Sequence, residues 1–208
     1  KLMGLILSTF NIRIFGYNTN NSEIISFKHG VASGDPTKNK IILWTKITKT
    51  SKNTINVNWQ ISDNKNFSNL INLGTAKSYS YNDFSVKVDA KIPDKYCGSE
   101  IYFRFYVDNI FSITGTTKTL PKNDPSNFNI AICSCSNYPG GFFNAYKEIA
   151  NDNNIDLVLH LGDYLYEYDK NGYATEDSKK MNRVVDPQHE IVTLDDYRKR
   201  HALYKRDE

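Results

Sequence analysis

The stretch HLGDYLYEY, His160 to Tyr168, places an aspartate directly after an apolar run and a glycine, with tyrosines close behind. Gly162 lets the chain turn without a side chain crowding the site. Asp163 then projects from a strand end, and Tyr166, three residues later, returns to the same side of a turn. A carboxylate and a phenolate can hold a hard, highly charged cation such as Fe³⁺. A bound cation makes loss of the phenol proton credible at ordinary pH. A carboxylate can also bridge two ions, and a two-metal site can activate water and stabilise the leaving oxygen of a phosphate ester. The same residues also describe an ordinary turn with amphipathic tyrosine packing. His160, inside the apolar run, reads as a core histidine with satisfied nitrogens.

A second polar cluster, CSCSNYPGG, spans residues 133–141. Cys135 falls at a strand end beside Asn137 and two glycines, a suitable place for a ligand. Cys133, one step inside the strand, is the better structural cysteine. Gly140 and Gly141 could cradle an anion, but no lysine follows at P-loop spacing. Arg183 and Arg198 are the arginines that could meet a phosphate; each also fits a surface or helix ion pair.

Two textures of sequence must position these groups. The first half alternates. Phe84, Val86, Val88, Ala90 and Ile92 share one face of a strand, as do Ile101, Phe103, Phe105 and Val107. Further strands are expected over 40–47, 54–62 and 110–118. Short strands with polar turns predict an antiparallel sandwich over 29–119, with Trp44 and Trp59 as core anchors. LPKNDPSN, residues 120–127, reads as a linker. The second half changes period. Strands are expected at 128–133 and 155–161, with an amphipathic helix between them bearing Phe143, Tyr146 and Ile149. This is an α/β unit. The nearly all-apolar 155–161 suits a sheet covered on both faces. A last helix starts after Thr193, capped with help from Asp196, and its stripe is Leu194, Tyr197, His201 and Tyr204. Ligands in open α/β folds gather beyond the carboxyl ends of strands, where both polar clusters fall.

Composition narrows the classes. The chain has 208 residues, 26 Lys and Arg against 23 Asp and Glu, and a formal charge of +3. That balance is too mild to indicate nucleic acid, and no compact arginine stripe is present. The 14 tyrosines and 11 phenylalanines can build a core despite a modest 39% hydrophobic content. Three cysteines, Cys97, Cys133 and Cys135, do not make a disulfide framework or a zinc-knuckle spacing. No run reaches the ~18 apolar residues of a transmembrane helix. The opening KLMGLILSTF, within a separate segment 1–28, reads equally as a signal-peptide remnant or a first strand.

Taken together, FKHGVASGDPT, IILWTKI, SCSNYPGGFFNAY, LVLHLGDYLYEY and EIVTLDDYRKRHALYKRD resemble the alkaline phosphatase and phosphodiesterase D family, the PhoD-like enzymes. The Gly-Asp-x-x-Tyr element is also similar to one in purple acid phosphatases, without their preceding Asp-x-Gly. The resemblance implies an N-terminal immunoglobulin or fibronectin-like β-sandwich followed by an α/β metallophosphoesterase domain, here its first part, 128–208. It implies Fe³⁺ bound by Cys135 and Tyr166, and Asp163, also a catalytic residue, bridging Fe³⁺ to Ca²⁺. The implied substrate is a phosphate monoester or diester, and the implied location is periplasmic or extracellular, although no twin arginine stands near the start. The family's later DDHE-like segment and further Asn, Asp and His residues lie beyond this sequence. The chain is therefore expected to be a fragment at both ends and inactive alone. The alternative is a non-catalytic exported module whose sandwich binds a partner or serves as structure.

Overall fold

The computed structural model describes residues 25–48 and 50–207. The segment 1–24, with the expected signal remnant, lies outside the described residues. Alternation in the first half produces two antiparallel sheets. One comprises β1 (Val31–Gly34), β2 (Lys40–Lys46) and β5 (Ser85–Lys91), in the order β1-β2-β5. The other comprises β3 (Thr54–Ser62), β4 (Leu70–Tyr79) and β6 (Glu100–Val107), with β7 (Ile110–Phe111) and β8 (Gly115–Lys118) both paired to β6. The two sheets share one core. Ile41, Leu43, Val86 and Ala90 come from the first, and Val57, Trp59, Ile61, Ile101, Phe103 and Phe105 from the second. Each such large apolar side chain contributes about 1.5–3 kcal/mol on burial.

Register explains two glycines. At Gly115, paired with Phe103, an added Cβ would lie 2.4 Å from the Phe103 ring and 2.8 Å from Val31. At Gly74, paired with Trp59, it would lie 2.7 Å from the indole. Each glycine makes room for a core ring from the facing strand.

The expected strands over 40–47, 54–62, 83–92 and 100–109 are present, with ends shifted by a few residues. The expected strand over 110–118 is instead two short strands, interrupted where Ser112 turns inward to donate to the Ile113 carbonyl and accept from Phe105 N–H. Trp59 is a core residue, but Trp44 is not. Ile41, Leu43 and Thr45 take the inward face of β2, so Trp44 points outward and is half-buried.

In the second half, β9 (Ile130–Cys133) and β10 (Leu157–His160) form a parallel pair joined through α1 (Asn144–Asn151). A Lys118–Asp156 ion pair at 2.9 Å ties β8 to the start of β10, and Asp156 also accepts from Asn129 N–H. The apolar run of β10 is not covered on both faces. Val158 is 47% exposed and Leu159 40%, as is Ile132 of the paired β9 at 63%, and α1, which joins the two strands, has no buried residue of its own.

The helix α2 (Leu194–Tyr204) starts as the sequence indicates. Thr193 Oγ1 accepts from Asp196 N–H, and Asp196 Oδ2 accepts from Thr193 N–H at 3.0 Å. Its buried positions, however, are Asp196, Arg200 and Tyr204, while Leu194 at its start is exposed. The helix lies against the outer face of the first sheet. Trp44 meets His201 edge-on at 6.4 Å, Lys205 Nζ sits 5.6 Å from the Trp44 ring, and Arg198 donates to the Tyr81 carbonyl at 2.7 Å.

Candidate metal centre

Parallel pairing of Cys133 with His160 ends the β9–β10 ladder and delivers two loops side by side. The loops then bond to each other. Cys135 N–H donates to the Gly162 carbonyl at 3.2 Å, and Ser136 N–H to the Asp163 carbonyl at 2.9 Å. Cys135 (φ 60°) and Asp163 (φ 52°) both occupy the left-handed region, and Gly162 lies at φ 123°. The left-handed backbone costs about 1–2 kcal/mol at Cys135 and less at Asp163, since aspartate adopts it more readily. Strain of this kind gathers at functional sites.

The result is convergence on one oxygen. Cys135 Sγ donates to Asp163 Oδ2 at 3.7 Å, and Tyr166 Oη donates to the same oxygen at 3.0 Å. Cys135 and Asp163 are exposed, so the cluster opens to solvent. Partial burial, then hydrogen bonding to Cys135 and Asp163, pushes the Tyr166 phenol above its usual range. Without a cation, the carboxylate therefore holds a protonated phenol. A carboxylate and a phenolate suit a hard, highly charged cation, and a thiolate adds a softer donor that suits iron but not Ca²⁺. The set is small, however. Among the described residues, no group of three or more His, Cys, Asp and Glu side chains could hold a metal ion, and this cluster has two plus a phenol.

A network beneath the cluster was not legible in the sequence. His160 Nδ1 accepts from Gly162 N–H at 3.3 Å, which leaves the ring proton on Nε2. Nε2–H lies 2.8 Å from Tyr146 Oη, and the phenol, kept protonated by burial, donates to Ser136 Oγ. Ser136 follows Cys135 and is 5% exposed, so it supports the loop rather than facing solvent. His160 is satisfied, as expected, but by groups that flank the site. Arg200, 1% exposed, holds the other loop. It donates to the carbonyls of Tyr166, Tyr168 (3.2 Å), Pro187 (2.9 Å) and Asp186 (3.3 Å). Its place in a helix with charged neighbours gave no sign of this.

The other candidates lie apart. Cys133 Sγ contacts the Leu159 carbonyl at 3.7 Å within the ladder. Arg183 is buried against Tyr138 (3.9 Å to the ring centre) and pairs with Asp207. Arg198 bonds the Tyr81 carbonyl. Gly140 lies in a short turn that also contains Tyr138 and Pro139.

Both halves of the chain resemble known proteins. The family description "PhoD-like phosphatase, N-terminal domain" matches residues 16–121, and "PhoD-like phosphatase" matches residues 130–208. Alkaline phosphatase D of Bacillus subtilis (strain 168) is 37% identical over 193 residues, 87% of this chain and 32% of that protein. A solved structure of PhoD superposes with a TM-score of 0.78 at 35% identity, covering 88% of this chain and 35% of that one. The chain thus spans about a third of the length of these relatives. With both family regions matched in order and the strand-end cluster inside the second, the chain belongs to the PhoD-like phosphatase family.

Proposed function

We propose that this chain supplies part of a metal-dependent phosphate ester hydrolase acting on monoesters or diesters. In this reading residues 29–119 form an immunoglobulin or fibronectin-like sandwich, 120–127 a linker, and 128–208 the first part of a metallophosphoesterase domain. Residues 1–28 form a separate segment of an exported protein. Cys135 and Tyr166 would be ligands of Fe³⁺, and Asp163 would be a ligand shared with Ca²⁺. The observation that carries the reading is the convergence of Cys135 Sγ and Tyr166 Oη on Asp163 Oδ2.

Bound there, the ions would activate a water and stabilise the leaving oxygen of the ester. The chain's own work is preparatory. The thiol and the phenol donate to Asp163 Oδ2, and both protons must leave before a cation is held. The paired loops keep the carboxylate where both donors reach it. Arg200 fixes the Tyr166 backbone, and His160 fixes Gly162. Three protein donors, mostly for one ion, bind weakly, and the exposed faces of β9 and β10 support a sheet that further polypeptide completes. The 208 residues alone are thus inactive.

The test is spectroscopic and catalytic. Excess Fe³⁺ added to the chain should give a visible phenolate charge-transfer band that Tyr166→Phe abolishes and Tyr168→Phe keeps. Aryl phosphate hydrolysis by the chain should match that of Asp163→Ala. A band that survives Tyr166→Phe would remove the ligand assignment. Turnover that depends on Asp163 would overturn the claim of inactivity.

A further inference from the structure

A second polar feature lies away from the strand-end cluster, where α2 approaches the first sheet. A cavity of about 390 Å³ opens there, with His29 and Lys46 on the sheet side and Lys199 and Arg206 on the helix side. Lys28 completes the cationic lining. Two carboxylates, Asp83 and Asp186, also border it, but Asp83 is taken by an ion pair with Lys46. Lys199 pairs with Asp195 at 2.9 Å, outward on the helix. Positive charge therefore exceeds negative at the cavity wall.

His29 is the telling residue. It is 3% exposed, and its Nδ1 is buried with no hydrogen-bond partner. An orphaned buried polar atom destabilises the fold unless something pairs with it. Burial first, then Lys46, His201 and Arg206, hold its pKa down to about 4, against a smaller opposing effect of Asp83. A neutral, unpartnered imidazole among cations is an arrangement that an anion would complete. The anion would accept hydrogen bonds from the flanking cations and from an imidazole N–H, and would supply a counter-charge for Lys28 and Arg206.

We propose that this cavity binds a small oxyanion of the phosphate class, clamped between the first sheet and α2. Arg206 Nε is taken by the Ala202 carbonyl at 2.9 Å, which leaves its two terminal Nη groups to face two oxygens, and Lys28 supplies a point charge. The site is separate from Cys135, Asp163 and Tyr166 and does not depend on their role as metal ligands.

Calorimetric titration of the 208-residue chain with inorganic phosphate, at low salt with EDTA present, tests the proposal. We expect one saturable site tighter than about 10 mM. Arg206→Gln and Lys28→Gln should each weaken it about tenfold, the loss of one charge-assisted contact. Asp163→Asn should leave it unchanged, and the His29 imidazole resonances should shift on saturation. Phenyl phosphate in a parallel titration distinguishes free phosphate from an ester as the preferred ligand; either result supports the phosphate class. Absence of saturable binding would overturn the proposal. So would affinity unaltered in both charge variants, or affinity abolished in Asp163→Asn.

Discussion

Tyr146→Phe is the sharpest probe of how the site is held. The change removes one oxygen and leaves the ring packed against Phe143, whose centre is 5.6 Å away. Two hydrogen bonds disappear, one to Ser136 Oγ and one to His160 Nε2. At about 1 kcal/mol each, the gross loss is about 2 kcal/mol. Part of it is recovered, because Ser136 Oγ and His160 Nε2 already stand 3.3 Å apart and can close on each other. The net cost should be about 1–1.5 kcal/mol. For a chain of this size that lowers the melting temperature by about 2–6 °C. His160→Leu should cost somewhat more, about 2 kcal/mol, since the Tyr146 hydroxyl loses one of its two partners and the exposed Gly162 N–H must turn to water. Thermal unfolding gives both values, and amide exchange at Gly162 locates the effect. It should accelerate in His160→Leu and change little in Tyr146→Phe. The double variant Tyr146→Phe/Ser136→Ala should be less destabilised than the sum of its singles, because each removes the other's orphan. Strict additivity, or a Tyr146→Phe melting temperature equal to that of the parent, would show that the three groups do not act as a network.

Other consequences are equally specific. Arg200→Lys should lose about 2–4 kcal/mol in urea denaturation, since one ammonium cannot span four carbonyls that a planar fork reaches; a loss under about 0.5 kcal/mol would mean that the loop of Tyr166 is held by something else. His29 sets a pH dependence. Its folded pKa of about 4 lies below its ordinary value of 6.5, so the unfolded chain binds the extra proton between them. Stability should therefore rise with pH from about 4 to 6.5, by up to about 3 kcal/mol. In His29→Gln that part of the slope should vanish, as read from urea midpoints across the window; an unchanged slope would assign it to other groups.

Where one periodicity and one burial direction governed a segment, the sequence was readable. The alternation in 54–62 gave β3 with its ends, because that strand is central and one face is wholly apolar. The strand β4 escaped notice because it sits at a sheet edge, carries Gly74 and exposes Leu73, so its pattern is diluted. Trp44 was misplaced by size alone. Its parity in β2 is opposite to that of Leu43, and parity decides the face. In α2 the stripe shifted because its most buried side chain is an arginine, satisfied by carbonyls that only the folded loops present. The approach of Tyr166 to Asp163 followed from a local three-residue step, whereas Cys135 joined them through the expected pairing of two distant strands and the family resemblance. The supports, Ser136, Tyr146, His160 and Arg200, depend on contacts between distant segments, which spacing does not encode.

Cys135 brings local strain and chemistry into direct opposition. Its φ of 60° suits glycine, and nothing in the apolar core calls for its side chain, which is exposed. Cys135→Gly should relieve about 1–2 kcal/mol of left-handed strain and lose about 0.5–1 kcal/mol to the greater freedom of unfolded glycine. The net is a chain about 0–1.5 kcal/mol more stable that has lost the thiol. Cys133→Gly offers the contrast. That residue lies in the β9 ladder, so glycine there should cost stability. Urea denaturation of the two variants, with the iron-dependent absorption band measured alongside, separates the roles. Cys135→Gly should be at least as stable as the parent and should bind iron less well. A loss of more than about 1 kcal/mol in Cys135→Gly would show that the thiol is a packing group. Undiminished iron binding in that variant would leave the strained backbone at residue 135 without the chemical reason assigned to it here.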